Sequence, residues 1–240
     1  MKDVVRANFD DSVDAYVTYE QRTGRFTALA RLLAAEMSAR TDTGFGTVLD
    51  AGAGTGVSTR VFADTGANTV ALDISREMLS EVNSPLCVEA DFDTLPLADR
   101  SVDGVAFTAS LFLVPDPAIT VREAARVLRS GGVVGAVAPL GWVDQNGDDV
   151  FNRLERDSRS PTGADEVTDA IARTFTTTTG TWRFSTTAAD LRRFHAIPAM
   201  AARLYPEQDA DERVEKAHAL LDSLEGTFEQ QWRWIVGVAD

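Results

Sequence analysis

Apolar residues recur along this chain at two alternating spacings, one typical of helices and one of strands. Residues 12–38 carry apolar side chains at helical spacing, and Gly24 is predicted to break that helix in two. From residue 47 onward, short apolar strands alternate with helical segments. The first five predicted strands cover residues 47–50, 69–73, 86–90, 102–108 and 133–138.

The helix that precedes the fifth strand has recognisable ends. Asp116 is suited to cap it and Pro117 fits its first position. Arg126 and Arg129 suit its negative end, and Gly131 is predicted to terminate it. Strands that alternate with helices predict an α/β fold with a doubly wound, mostly parallel sheet covered on both faces.

Beyond residue 139 the alternation loosens. Helices are predicted at residues 165–173, 188–195 and 209–224, and strands at 174–187 and 228–238. The two late strands predict an antiparallel hairpin at the edge of the sheet. They bring the predicted sheet to seven strands.

The chain of 240 residues is strongly acidic, with a formal net charge of -14 and a pI near 4.5. Such a surface repels nucleic acid and anionic membrane, so neither is expected as a partner. One origin is a high-salt cytoplasm, where a Debye length of ~3 Å at molar salt screens the self-repulsion. The other is a GC-rich genome that favours Asp, Ala and Arg codons. The sequence leaves both open.

Targeting and redox signals are few. Cys87 is the single cysteine, so an intrachain disulfide is excluded, and its apolar strand places it in the predicted core. The first ten residues are charged and have no apolar signal core. The longest apolar stretch, residues 131–142, is shorter than the ~20 residues that span a bilayer. We therefore expect a soluble, cytoplasmic protein.

The most informative segment is VLDAGAGTG, residues 48–56, in which a predicted strand runs into a glycine-rich turn that opens a helix. Gly52 allows the tight turn, and Gly54 lets a ligand approach the backbone closely. The third glycine of the dinucleotide fingerprint G-x-G-x-x-G is missing at its usual position. Gly56 instead completes G-x-G-x-G, with Asp50 two residues before the first glycine.

Carboxylates also follow the next two predicted strands. Asp73 ends the second strand, where it can accept both hydroxyls of a ribose, a role that would serve NAD equally. Asp91 follows the third strand in the sequence ADF. Because open α/β sheets bind ligands at the carboxyl ends of their strands, these residues predict a nucleotide-cofactor site.

With these features the sequence resembles the class I S-adenosylmethionine-dependent methyltransferases. It is most similar to the small-molecule branch, which includes the malonyl-carrier-protein and quinone-biosynthesis methyltransferases. Besides the glycine turn, the stretches LPLADRSVDGVAF (95–107) and AARVLRSGGVV (124–134) carry the resemblance, which covers residues 47–139. It implies a Rossmann-like sheet with a helical lid, S-adenosylmethionine as cofactor, and methyl transfer to a small-molecule or carrier-bound acceptor.

The resemblance also implies a role for each site residue. The glycine turn lies against the methionine part and the ribose, and Asp50 fixes that turn. Asp73 holds the ribose, while Asp91 and the Phe92 amide read the edge of the adenine. Residues 107–110 read FTAS, so the Asn-Pro-Pro-aromatic motif of DNA and glutamine amino-methylating sites is absent.

The remaining implied contacts are apolar or hydroxyl groups. Ile74 and Met78 pack on the adenine face, although both are equally suited to the core. Thr108 meets the methionine end. Tyr16, which shares a helix face with Tyr19, closes over the methionine carboxylate. The full implied set is Tyr16, Asp50, Ala51, Gly52, Ala53, Gly54, Gly56, Asp73, Ile74, Met78, Asp91, Phe92 and Thr108.

The acceptor side carries little signal. His195 and His218 are the only histidines, and each is more typical of a surface or packing residue than of a base. No catalytic residue, metal ligand or oligomeric state is predicted. Two alternatives stay open: an NAD-dependent oxidoreductase and a non-catalytic, S-adenosylmethionine-binding regulatory protein.

The resemblance predicts one methyltransferase domain over residues 1–240. Its predicted parts are an N-terminal helical cover (1–40), a cofactor-binding core (47–139), a lid or acceptor-side insertion (140–210), and a C-terminal helix with an edge strand (211–240). The acceptor pocket is expected over the ends of the fourth and fifth strands, beneath residues 12–25 and 140–205.

A lid at the N-terminus is testable by limited proteolysis with and without the cofactor. Because a closing lid excludes water and aligns the acceptor, cofactor should slow cleavage within residues 1–25. Deleting this segment should reduce methyl transfer and weaken cofactor binding while the sheet stays folded. Equal cleavage rates in both conditions would show that the segment is not a lid.

Overall fold

The computed structural model of the chain describes residues 2–42, 44–84, 86–153 and 162–239. Its strands are β1 (Thr47–Ala51), β2 (Asn68–Asp73), β3 (Cys87–Glu89), β4 (Val102–Thr108), β5 (Leu128–Val143), β6 (Thr176–Thr187) and β7 (Thr227–Val238). They form one seven-stranded sheet in the order β3-β2-β1-β4-β5-β7-β6. The predicted α/β class and the predicted number of strands are confirmed.

The helices flank and connect these strands. They are α1 (Lys2–Asp10), α2 (Val13–Thr23), α3 (Arg25–Ser38), α4 (Val57–Asp64), α5 (Arg76–Ser80), α6 (Pro117–Val127), α7 (Ala164–Ala172), α8 (Ala188–His195), α9 (Pro198–Ala201) and α10 (Ala210–Leu221). Within the described ranges, no helix has the length and apolar character needed to cross a membrane.

Strands β1 to β5 are parallel, and their order contains one reversal. β1 pairs with β2 on one side and with β4 on the other. After β1, the chain continues to β2 and β3 on one side of β1, and it then crosses over to β4 on the other side. Open α/β sheets bind ligands at such a reversal, outside the carboxyl ends of the strands. The residues that follow β1 and β4 therefore lie where a ligand is expected.

Strand β7 runs antiparallel to β5. The Gly131 amide donates to the Ala239 carbonyl at 3.0 Å, and the Ala239 amide donates to the Gly132 carbonyl at 2.8 Å, which joins the start of β5 to the end of β7. β6 lies on the far side of β7. On this side of the sheet the edge strand is thus β6, and not the strand predicted within residues 211–240, because pairing across a sheet does not follow order along the chain.

The chain divides into two compact units. The first comprises Met1–Gly24, Leu140–Pro161 and Thr181–Trp232, and the second comprises Arg25–Pro139, Thr162–Gly180 and Arg233–Asp240. In the second unit, Leu49 and Leu72 of the parallel sheet are fully buried. In the first unit, the Trp142 ring lies 5.4 Å from the Phe151 ring and 5.3 Å from the Phe194 ring. Part of the predicted 140–210 insertion, residues 154–161, lies outside the described residues.

Local predictions were mostly confirmed, with two corrections. Gly24 has a left-handed backbone (φ 58°) and separates α2 from α3 as predicted. Helix α6, however, ends at Val127, ahead of the predicted terminator Gly131, because Leu128 already begins β5. Cys87 was predicted to be in the core, but its side chain is exposed, since β3 is a short strand at the sheet edge.

Candidate active site

Asp50 lies at the carboxyl end of β1 and is fully buried. One of its oxygens, Oδ2, accepts hydrogen bonds from the Ser58 hydroxyl at 2.7 Å and the Thr59 hydroxyl at 2.6 Å. Both hydroxyls come from the first turn of α4, so the carboxylate fixes the helix to the strand. The other oxygen, Oδ1, has no hydrogen-bond partner among the described residues. A buried, unpartnered oxygen is unfavourable unless a ligand or water donates to it.

The surroundings of Asp50 raise its pKa from 3.8 to about 6. Burial is the main cause, since it disfavours the charged form, and the hydrogen bonds from Thr59 and Ser58 oppose it. The negative charge of Asp73 raises the pKa further. A cationic group bound near Oδ1 would lower the pKa of Asp50 again, because it favours the charged carboxylate.

Asp73 ends β2 and ties the glycine turn to the neighbouring strand. Its Oδ2 accepts the Gly54 amide at 2.8 Å, and its Oδ1 accepts the Ser75 amide at 2.9 Å. The carboxylate is 8% exposed. Each carboxylate oxygen can accept more than one hydrogen bond, so Asp73 keeps capacity for ribose hydroxyls while it holds the turn.

The three glycines of the turn have positive φ angles, but they serve different purposes. A Cβ at Gly52 would overlap Ser110, with the Ser110 Oγ only 2.8 Å away, and a Cβ at Gly56 would come within 3.0 Å of Val82. At Gly54, a Cβ would meet nothing within 4 Å. Two glycines are therefore required by the packing of the protein itself, and only Gly54 presents open backbone to a ligand.

The segment after β4 supports the same turn. The Ser110 hydroxyl donates to the Ala51 carbonyl at 2.6 Å, and Ser110 is 4% exposed. Ala109, just before it, has a φ of 61°, which is strained for a residue with a side chain. The hydroxyl of Thr108 is buried without a hydrogen-bond partner in the described part of the chain. The sequence prediction included Thr108 but missed Ala109 and Ser110.

The predicted adenine residues lie directly after β2, on α5 and in the segment after β3. Asp91 Oδ1 accepts the Asp93 amide at 3.0 Å. The half-buried Phe92 packs edge-on against Phe107, with ring centres 5.9 Å apart, and its Cζ lies 3.1 Å from the position of a Gly52 Cβ. The segment of Asp91 and Phe92 thus borders the glycine turn.

Ile74 and Met78 differ in what they can offer a ligand. Ile74 is partly exposed, so it retains apolar surface for an adenine ring. Met78 is fully buried, and its amide donates to the capping hydroxyl of Ser75 at 3.1 Å. Packing in the core accounts for Met78 without a ligand, and the predicted adenine contact of Met78 stays a prediction.

Tyr16, Tyr19 and His195 belong to the first unit. Tyr16 is half-buried on α2, and its predicted cofactor contact stays a prediction. Tyr19 is 3% exposed and packs edge-on against Phe194, with ring centres 5.4 Å apart. His195 is also 3% exposed, and its Nδ1 lies 3.0 Å from the Leu191 carbonyl oxygen. The packing interpretation of His195 is supported by this environment.

Comparison with known proteins shows which family part of this chain resembles. Residues 49–135 match the family described as "Methyltransferase domain". The chain is 48% identical over 101 residues to a malonyl-[acyl-carrier protein] O-methyltransferase of Dechloromonas aromatica, covering 39% of this chain and 36% of that protein. It is 44% identical over 88 residues to a demethylmenaquinone methyltransferase of Corynebacterium efficiens, covering 35% and 38%. Residues 49–135, which contain the glycine turn, Asp73 and Ser110, are thus similar to a methyltransferase domain.

The fold extends the similarity beyond the matched segment. The structure of the Burkholderia thailandensis 1,6-didemethyltoxoflavin-N1-methyltransferase, solved with bound 1,6-didemethyltoxoflavin and S-adenosylhomocysteine, matches with a TM-score of 0.53 at 17% identity. That match covers 99% of this chain and 88% of the other. In contrast, this chain spans less than half the length of the two curated relatives named above.

The matched segment offers S-adenosylmethionine three complementary groups. The open face of Gly54 leaves room for close approach, and Asp73 beside it can accept ribose hydroxyls. The unpartnered Oδ1 of Asp50 can accept from the cationic amino group, directly or through water. The residues present therefore fit the cofactor that the sequence resemblance implies.

The different roles of the glycines give a first prediction. Gly54→Ala should fold with a modest loss of stability, about 1–2 kcal/mol for a left-handed alanine, yet lose most cofactor affinity because its Cβ enters the ligand space. Gly52→Ala should lose much more stability, since its Cβ overlaps Ser110. Urea denaturation and calorimetry with S-adenosylhomocysteine measure the two effects.

Two controls separate strain from ligand contact. Gly131→Ala carries a similar positive φ (73°) with nothing within 4 Å of its Cβ, so it should lose stability but not affinity. When Ser110→Gly is combined with Gly52→Ala, the double variant should recover part of the stability that Gly52→Ala alone loses. Normal cofactor affinity in a folded Gly54→Ala protein would show that the cofactor does not approach the Gly54 backbone.

A second prediction concerns Asp50 and pH. Because the folded state holds the Asp50 proton more tightly than the unfolded chain, stability contributed by the protonated form is lost as the pH rises through about 6. Between pH 5 and 7, the free energy of unfolding of the wild type should fall by about 1 kcal/mol relative to Asp50→Asn. Urea titrations without cofactor at several pH values measure this difference, and a difference independent of pH would contradict the raised pKa.

Proposed function

We propose that this chain is an S-adenosylmethionine-dependent methyltransferase that acts on a small-molecule or carrier-bound acceptor. The observation that carries the proposal is the Gly54 cradle: an open glycine backbone whose amide is held by Asp73. The cradle lies inside the segment that matches the methyltransferase domain family. When bound, S-adenosylmethionine supplies a methyl group on a sulfonium and leaves as S-adenosylhomocysteine.

Different residues of the second unit bind different parts of the cofactor. Asp73 accepts the ribose hydroxyls while its grip on the Gly54 amide keeps the turn in place. Asp50 stabilises the positive end of the methionine part, and Thr108 offers a second unpartnered oxygen on the neighbouring strand. Asp91 and the Phe92 amide bind the edge of the adenine. Binding of this kind supports catalysis mainly by positioning the reacting groups.

The acceptor class follows from charge and from the relatives. With a net charge of -14, the chain disfavours a polyanionic acceptor such as nucleic acid. The two curated relatives are named for a malonyl-carrier-protein and a demethylmenaquinone acceptor, and both names describe small acceptor groups. We therefore propose a small acceptor, free or attached to a carrier, and assign no acceptor-binding residue.

Two other functions make different predictions for the same site. An NAD-dependent oxidoreductase would need the dinucleotide fingerprint, whose third glycine is replaced by Val57 here. The matched family gives that alternative no support. A non-catalytic regulatory protein would bind S-adenosylmethionine but leave its methyl group in place.

Calorimetry followed by a methyl-release screen tests the proposal. The chain should bind S-adenosylmethionine and S-adenosylhomocysteine but not NAD, and it should release S-adenosylhomocysteine with at least one acceptor in a metabolite and carrier-thioester library. Comparable binding of NAD would overturn the cofactor assignment. Cofactor binding without transfer to any acceptor would favour the regulatory alternative.

Asp73→Ala provides the matched binding-deficient variant for that screen. It should weaken cofactor binding by about 1.5–3 kcal/mol, the size of hydrogen bonds to a charged group. Because Asp73 also accepts hydrogen bonds from two backbone amides, the substitution should lower the free energy of unfolding as well. The sequence alone did not suggest this second effect. Helix and strand content should be unchanged by circular dichroism. Affinity within twofold of the wild type would reject the ribose role.

A further inference from the structure

One face of α6 is occupied by three polar residues that point at the segment after β3. Thr120, Glu123 and Arg126 are spaced three apart, so they share this face of the helix. Thr120 is fully buried, while the side chains of Glu123 and Arg126 are 20% and 31% exposed. None of the three belongs to the cofactor site described above. Apart from the Glu123–Arg126 pair itself, the hydrogen bonds that these side chains make here go to residues 93–99.

Arg126 uses all five of its N–H groups in this contact. Nε and one Nη2 hydrogen bind the two oxygens of Glu123, at 2.8 and 2.7 Å. The second Nη2 hydrogen binds the Leu95 carbonyl at 2.9 Å. Nη1 donates to the Leu97 carbonyl and to Asp99, both at 2.8 Å. A planar fork with five donors is specific to arginine, so lysine cannot reproduce this arrangement.

Glu123 completes the contact from the acceptor side. Its Oε2 accepts the Leu95 amide at 2.9 Å, so the Glu123–Arg126 pair binds both the N–H and the C=O of that residue. Pairing with Arg126 keeps the pKa of Glu123 below its usual value, so the carboxylate is charged at neutral pH. Leu95 is 3% exposed, which shows that the clamped backbone is buried.

Thr120 connects the same helix face to the predicted adenine carboxylate. Its hydroxyl donates to Asp93 Oδ1 at 3.0 Å. The Asp93 amide in turn donates to Asp91 Oδ1 at 3.0 Å. Two hydrogen bonds therefore link helix α6 to Asp91 through Asp93.

We propose that Thr120, Glu123 and Arg126 form a clamp that positions the 91–99 segment for recognition of the adenine base. This inference rests on the proposed function. The clamped segment has no strand or helix of its own, so its backbone groups need partners from elsewhere in the fold. By supplying them, the clamp fixes the position of Asp91 and the Phe92 amide. The three residues are positioning residues, since none of them touches the cofactor.

The clamp also gives a physical reason for the two stretches on which the sequence resemblance rests. LPLADRSVDGVAF contains the clamped backbone of Leu95 and Leu97, and AARVLRSGGVV contains Arg126. The two stretches are separated along the chain but joined by the arginine fork. The backbone path at Leu95 and Leu97 therefore requires an arginine at position 126, about 30 residues later in the chain.

Base discrimination is the property that tests this inference. We would compare the affinity for S-adenosylhomocysteine with that for S-inosylhomocysteine, in which a carbonyl replaces the adenine amino group. The wild type should prefer the adenine form, because Asp91 accepts a hydrogen bond from the amino group. In Thr120→Val and Arg126→Lys this preference should fall about fivefold or more, the scale of one lost hydrogen bond, while affinity for the inosine form changes little.

Arg129→Lys is the matched control for Arg126→Lys. Arg129 pairs with Asp103 at 2.6 Å, outside the 91–99 segment, so its substitution should leave the preference unchanged. Thr120→Val keeps shape and charge, and it therefore supplies an independent variant if Arg126→Lys fails to fold. Thermal melts of all variants report the loss of stability separately from the preference.

The outcomes distinguish the clamp from the function on which it rests. If the wild type binds neither analogue, the proposed function is wrong. If the wild type shows the preference and both variants retain it, or lose both analogues in equal proportion, the clamp is only structural and the inference is overturned. A wild type that binds both analogues equally overturns it as well.

Discussion

The hydrogen bonds that Asp73 accepts from Gly54 and Ser75 are the constraint on which the proposed cofactor site depends. One carboxylate at the end of β2 holds the turn after β1 and the start of α5, so two neighbouring strands and their helices share one fixed point. The charge of Asp73 also raises the pKa of the buried Asp50. The site therefore concentrates negative charge around an open glycine, an arrangement that favours a ligand with hydroxyl donors and a cationic group.

Most of the fold could be predicted from the sequence because its signals are local. Apolar runs, the Asp116 cap and the Gly24 break each depend on residues within a few positions of one another. The errors arose where a distant strand decides the outcome. Leu128 belongs to β5 and not to the preceding helix because it pairs with Val102, and the last strand lies inside the sheet because it pairs with both β5 and β6. No pattern of residues close to Leu128 or to the last strand predicts these pairings.

The same distinction explains what the sequence revealed of the candidate site. Asp50, Gly54 and Asp73 stand in a short motif or at a strand end, so their types and spacing point to a ligand. Ser110 carries no such signal, since its importance comes from contact with the turn through Ala51, 59 residues earlier. Gly52 was predicted to allow the tight turn, and its φ of 80° agrees with that role. The structure adds a second reason, since a side chain at this position would overlap Ser110.

The matched segment, residues 49–135, lies within the second unit. In the second unit, Asp73 and Arg126 bind backbone groups at defined angles, so few residue types can replace them. In the first unit, the described buried side chains are mostly apolar and include packed rings such as Trp142 and Phe194. Apolar cores accept many combinations of similar total volume, so packing of this kind leaves no short motif. A cofactor can therefore be inferred from a handful of polar residues, whereas an acceptor bound mainly by apolar shape has to be identified by experiment.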